Sequence, residues 1–167
     1  LNAPLRKTVS EGGPLKILIG VVTALCILYP IIVNASTATV GNVKTLKGEA
    51  SIIRNGSAVE AKEGADLFQN DSLKTGADGS MSVVFIDDTL ISVGPNSELA
   101  INEFHFSPAD GRMSFVARLL KGTSAYVSGI IGKLSPQSVR FETPVANIGI
   151  RGTKFAVKIE GDEEGSR

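Results

Sequence analysis

His105 is the only histidine in the chain, and Cys26 is the only cysteine. A Ser-His-Asp nucleophile relay would have to pass through His105, which sits between two phenylalanines in "EFHFS" on an apparent strand. That setting suits a surface or structural imidazole better than a general base. Zinc needs three or four imidazole or thiolate ligands, and the region after the apolar leader offers a single candidate. "GIIGKLS" has a superficial likeness to a phosphate loop. The loop requires Gly-x4-Gly-Lys-Ser/Thr, but Val127 and Leu134 occupy the decisive positions.

Carboxylates are the remaining chemical resource: Asp66, Asp71, Asp78, Asp87, Asp88, Glu98 and Glu103. A glycosidase would need two of them facing across a cleft. The aspartates among them fall in turn-like contexts, however, where an Asp side chain caps nearby backbone N–H groups. Calcium would want alternating oxygen ligands around a glycine, and "GADGS" supplies one. The sequence therefore implies no catalytic residue, no metal site and no cofactor.

One further stretch, "TPVANIGIRGTKFAV" at residues 143–157, places Arg151 beside Gly152 within an apolar alternation. A guanidinium at such a bend can present five donors to carbonyls or carboxylates of a neighbouring strand. Arg151 and Thr153 are expected to clamp the last strands to the sheet, against Asp71 or Asp87. The alternative is that Arg151 meets a carboxylate on a partner.

The elements that would position these residues can be read from pattern. After Ala38 the chain consists of short runs of period two. "EASIIRNGSAVEA" is a hairpin signal, because Asn55-Gly56 suits a type I′ turn in which both central residues take positive φ. "DSLKTGADGSMSVVF" repeats the scheme, with a turn at residues 76–79. Asp87-Asp88 turns the chain again, and residues 94–101 read as a turn entering another strand. "FSPADGR" is a surface loop. "MSFVARLLKGTSAYVSGIIGKL" has ambiguous apolar spacing and is read as strands interrupted at Gly122. Residues 139–159 read as three strands broken at Pro144 and at glycine. The expected fold is all-β, a sandwich or roll of short antiparallel strands, preceded by an N-terminal hydrophobic helix.

That helix is "ILIGVVTALCILYPIIV", residues 17–33. Arg6, Lys7 and Lys16 precede it, and no Lys or Arg follows until Lys44. This asymmetry keeps the N-terminus cytoplasmic and sends the rest across the membrane. Pro30 and the small-x-small "VNA" suit a cleaved signal peptide. The same run at the short end of spanning length suits an anchor. The 167 residues carry 17 basic and 17 acidic side chains, and after Ser36 the balance is 14 to 16. That is no electrostatic footprint for nucleic acid. The organisation expected is a signal peptide or anchor over 1–37, a β domain over 38–160 and a polar tail over 161–167.

The run from "VGNVKTLKGEASIIRNG" through "GADLFQNDSLKTGADGSMSVVFIDDTLISVGPNSELAI" resembles the opening of FecR-type domains. "TPVANIGIRGTKFAV" is similar to that family's closing strand pair. The sequence departs in having Asn70-Asp71 where Gly-Asp is common, and Asp87-Asp88 where Asp-Gly is usual. The resemblance implies an exported β module and no enzyme activity. The best-known members relay a signal from an outer-membrane receptor to a cytoplasmic sigma factor. Sixteen residues before the hydrophobic run are too few for a sigma-binding core. The expectation is thus a periplasmic, secreted or inner-membrane-tethered module, non-catalytic, that binds an envelope protein or a cell-wall glycan. It would touch the membrane only through residues 17–33, if the leader is retained. A membrane-anchored signalling relay of the anti-sigma regulator type is the alternative, and a carboxylate hydrolase of envelope polysaccharide is a third reading.

Overall fold

The computed structural model describes residues 38–150 and 154–159. The strands are β1 (Thr39–Lys47), β2 (Ala50–Arg54), β3 (Ser57–Glu60), β4 (Asp66–Phe68), β5 (Ser72–Thr75), β6 (Ser80–Phe85), β7 (Leu90–Val93), β8 (Glu98–Ser107) and β9 (Arg112–Val127). A one-turn helix α1 (Ile130–Leu134) follows, and then β10 (Val139–Glu142), β11 (Asn147–Gly149) and β12 (Lys154–Ile159). The fold is all-β, as the sequence predicts. The hydrophobic helix over residues 17–33 lies outside the described residues.

The strands form one continuous sheet in the order β3-β2-β5-β8-β9-β7-β6-β1-β4, with β10 and β12 also pairing to β9 and β11 pairing to β10. Nearly every pairing is antiparallel; β10 runs parallel to β9. β9 organises the sheet. Its first part pairs with β8, from Ser107↔Arg112 to Glu98↔Lys121. Its last part pairs with β7 and with β12 over the same residues, so β7 and β12 flank it.

The inner faces of this curled sheet meet in one core. Ile52, Leu67, Leu73, Val83, Ile91, Leu99, Phe115 and Phe141 are all closed to solvent within it. β6 shows why: Met81, Val83 and Phe85 are buried while Ser80, Ser82 and Val84 are not fully covered, the period-two pattern of a strand with one face inward. Phe85, Phe104 and Phe115 pack as a triad with ring centroids 4.9–5.8 Å apart. Tyr126 and Phe155 extend the stack at 5.1 Å, and Phe141 meets Phe155 edge-on.

The Asn55-Gly56 turn is as read: both residues have positive φ, 51° and 78°, and Arg54 pairs with Ser57 across a two-residue loop. Three details differ from the sequence reading. First, Gly122 does not interrupt the strands; β9 is 16 residues long and passes through it with φ +85°. A glycine can take that angle inside a continuing strand, so the chain bends there without ending. Second, Asp66 begins strand β4 and is not a turn residue. Third, "IIGKL" closes a helical turn, because donors at its start find acceptors on Asp87, 44 residues away in sequence for Ile131. A period-two or period-3.6 search over a five-residue segment carries no such signal.

Candidate functional site

Asp71 and Asp87 are both buried, and the fold engages each of them closely. β2 and β5 pair through Ile53↔Ser72, which puts Arg54 beside Asp71 at the ends of the two strands. Arg54 Nε donates to Asp71 Oδ1 at 2.9 Å and Nη2 donates to Oδ2 at 2.8 Å, a two-point fork. Nη2 also donates to the Asp66 carbonyl at 2.9 Å. The Phe68 N–H donates to Asp71 Oδ2 at 2.9 Å, and the guanidinium lies 4.3 Å over the centroid of the Phe68 ring. The hydrogen bonds to Asp71, with the charges of Asp71 and Asp66 behind them, push the Arg54 pKa further up from its already high value, against some opposing desolvation. Sequence reasoning singled out Asp71 but missed Arg54. The available signal was its position immediately before the Asn-Gly turn, which becomes meaningful only once the register of β2 against β5 is known.

Around this ion pair is a pocket of about 410 Å³ lined by Arg54, Asn55, Phe68, Gln69, Asn70 and Asp71. Asn55 and Asn70 are exposed and both hold positive φ, 51° and 71°. Gln69 Oε1 accepts the Phe104 N–H at 3.2 Å, which fixes the amide.

Asp87 serves a different junction. Its Oδ1 accepts the Thr89 N–H at 3.1 Å, and its Oδ2 accepts the Thr89 hydroxyl at 2.8 Å and the Ile131 N–H at 3.2 Å. Its main-chain carbonyl accepts the Ile130 N–H at 2.7 Å. The Thr89 hydroxyl in turn accepts the Gly129 N–H at 3.2 Å. Asp87 and Thr89 thus hold the start of α1 onto the turn between β6 and β7. Nearby, the buried Tyr126 hydroxyl has no hydrogen-bond partner among the described residues. Burial, the largest cause, pushes the Tyr126 phenol above its ordinary pKa, and the charge of Asp87 acts in the same direction.

Arg151 and Thr153, the expected clamp, lie outside the described residues. His105 is exposed, on β8. Asp78 reaches the Glu49 N–H at a long 3.4 Å, and Glu98 pairs with Lys74 at 3.6 Å on the surface. Glu103 Oε1 accepts the Ser114 hydroxyl at 2.6 Å. No group of three or more His, Cys, Asp and Glu side chains among the described residues could hold a metal ion.

Residues 71–166 match the family described as FecR protein, from the Asp71 of the ion pair through the closing strands. The chain belongs to the FecR family. FecR is a regulatory, non-catalytic family whose members act in signalling with partner proteins, as membrane-tethered regulators with periplasmic domains. No curated protein and no solved structure matches this FecR chain. No helix of the described residues is long and apolar enough to cross a membrane.

Proposed function

We propose that this FecR chain is an exported, non-catalytic β module that binds a protein or a glycan in the bacterial envelope. The observation that carries the reading is the use to which the two buried carboxylates are put. Asp71 is neutralised by Arg54, and Asp87 is taken up by Thr89 and the start of α1. Neither is a free acid or base poised over a cleft, as a hydrolase would need. What the described surface offers instead is contact chemistry on a rigid sheet: hydroxyls, carboxamides and one pinned guanidinium.

The family supports a second reading, a membrane-anchored signalling relay of the anti-sigma regulator type. In that reading the β module receives the envelope signal, and the leader over residues 17–33 stays in place as the anchor. Both readings put the β module outside the cytosol. They differ in what is bound on the inner side.

Crosslinking in intact cells, followed by capture of the chain and mass spectrometry of partners and of the recovered N-terminus, tests them together. Envelope partners with a processed N-terminus support the binding module alone. An intact leader with a cytoplasmic sigma factor in the captured material supports the relay. Recovery of the native chain only from the cytosol overturns both.

A further inference from the structure

The pocket beside the Arg54–Asp71 pair is a ready-made set of hydrogen-bond donors with its electrostatics already neutralised. We propose that it is a binding site for an uncharged glycan built from N-acetylated sugars. This rests on the reading of the chain as an envelope-binding module and names the ligand class for one pocket of it.

The hydrogen bonds of the described residues determine which atoms remain to be offered. Arg54 uses Nε and both Nη2 hydrogens on Asp71 and on the Asp66 carbonyl. Its Nη1 has no acceptor among the described residues, and the side chain is 29% exposed. Gln69 uses Oε1 on the Phe104 N–H, so its Nε2 is the end left over. Asn55 and Asn70 add two exposed carboxamides, each able to donate and accept. Four polar side chains thus converge on one pocket, and the two that are anchored present donors. Carbonyl and hydroxyl oxygens are the complementary groups, and an acetamido sugar carries both.

Charge excludes the alternative of an anion. The lining holds one guanidinium and one carboxylate in a bidentate pair 2.8 Å apart, so no net positive charge faces the opening. A protein anchor fits poorly as well. Protein hot spots bury an aromatic or aliphatic side chain in a desolvated hole, and this pocket has carboxamides where that hole would be. The Phe68 ring, held under the guanidinium, supplies the apolar wall, which is the amphipathic mix that a sugar presents in return. The pocket volume of about 410 Å³ lies within the range of about 300–1,000 Å³ typical of small-ligand sites. The site is also preorganised. Arg54 is pinned at three points and Gln69 at one.

The test uses the exported chain and tetra-N-acetylchitotetraose, titrated by calorimetry, against Gln69→Glu, Asn55→Gly and Asn70→Gly. Each variant is chosen to preserve the fold. Gln69→Glu retains an oxygen for the Phe104 N–H while losing the outward donor, and glycine tolerates the positive φ at positions 55 and 70. Melting curves of the three verify this. Saturable binding by the parent chain, weakened about 3- to 10-fold by each substitution, is the expected result. An oligogalacturonate of equal length, run in parallel, is expected to bind no better than the neutral probe. The proposal is overturned if the parent chain does not bind the chito-oligosaccharide, or if the three folded variants bind it as the parent does. It is equally overturned if the anionic probe binds more tightly, or if crosslinks from this pocket lead only to a protein. In these cases capture of an envelope partner by the parent chain would leave the wider binding function standing.

Discussion

Arg54 closes both of its parallel N–H bonds on Asp71, at 2.9 and 2.8 Å, across 17 residues of sequence and one strand pairing. The carboxylate is 1% exposed and the guanidinium 29%. This unequal burial sets how the pair contributes. The acid has no access to water, so its stability depends on the cation, whereas the cation retains some solvent of its own.

Arg54→Ala should therefore cost more than an exposed ion pair does. Removing one partner of a buried pair costs about 3–5 kcal/mol, and the partial solvation of Arg54 brings the expectation here to about 2–3 kcal/mol. On a domain of this size that lowers the melting midpoint by roughly 10 °C. Arg54→Ala/Asp71→Ala should recover part of the loss, because no orphaned charge is left. A double-mutant cycle by thermal melting measures the coupling; additive losses would mean that Asp71 is satisfied without Arg54.

Asp87 makes a prediction about local order. Asp87→Ala removes the acceptors of the Thr89 N–H, the Thr89 hydroxyl and the Ile131 N–H at a site with no solvent exposure. The expected cost is about 2–4 kcal/mol, with Asp87→Asn intermediate because one oxygen remains. The main-chain bond from Ile130 to the Asp87 carbonyl is unaffected by either change. Loss of order should therefore centre on α1. Hydrogen exchange over residues 129–135 is the measurement, and protection there as strong as in the parent would refute the role given to Asp87.

The two acids also show where sequence legibility ends. Both were visible as turn carboxylates that would accept backbone N–H groups, and both do so locally, from Phe68 and Thr89. The strands around them were visible too, since Asn55-Gly56 and the alternation of Met81, Val83 and Phe85 are local signals. The partners that give each acid its structural weight were not. Arg54 and α1 meet Asp71 and Asp87 through strand register and sheet curvature, and neither quantity leaves a mark in a short window of sequence. The same limit applied to Gly122, which reads as a break by composition but is a bend inside β9 by pairing.

Tyr126 gives a prediction with the opposite sign. Its ring is packed against Phe115 and Phe155, while its hydroxyl is buried without a partner among the described residues. Tyr126→Phe keeps the packing and removes the desolvated hydroxyl, so stability should be unchanged or higher by up to about 1 kcal/mol. The pH dependence follows from the raised pKa. The folded chain holds the phenol proton to higher pH than the unfolded chain does. The contribution is therefore fully present below the unfolded value of about 10 and is lost as pH rises from there through the folded pKa. Denaturant melts at pH 9 to 11 should show a steeper loss for the parent than for Tyr126→Phe, and parallel curves would contradict the assignment.

Two glycines separate the cost of backbone angle from the cost of space. Gly56 and Gly122 have nearly the same positive φ, 78° and 85°. A Cβ on Gly56 would meet nothing within 4 Å, whereas one on Gly122 would run into the Ser97 side chain and lie 2.6 Å from the Ser97 Cα. Ser97 cannot give way freely. It is fully buried, its hydroxyl accepts the Thr123 N–H at 2.8 Å, and its own N–H donates to Thr75 Oγ1 at 3.0 Å. Gly56→Ala should therefore cost only the left-handed penalty of about 1–2 kcal/mol. Gly122→Ala should cost that penalty plus an overpacking cost of about 1–3 kcal/mol, and it should loosen the junction where β9 passes from β8 to β7. Chemical denaturation of the two variants side by side decides the matter. Equal losses would mean that the bend at Gly122 is set by backbone angle alone and that the contact with Ser97 relaxes without cost.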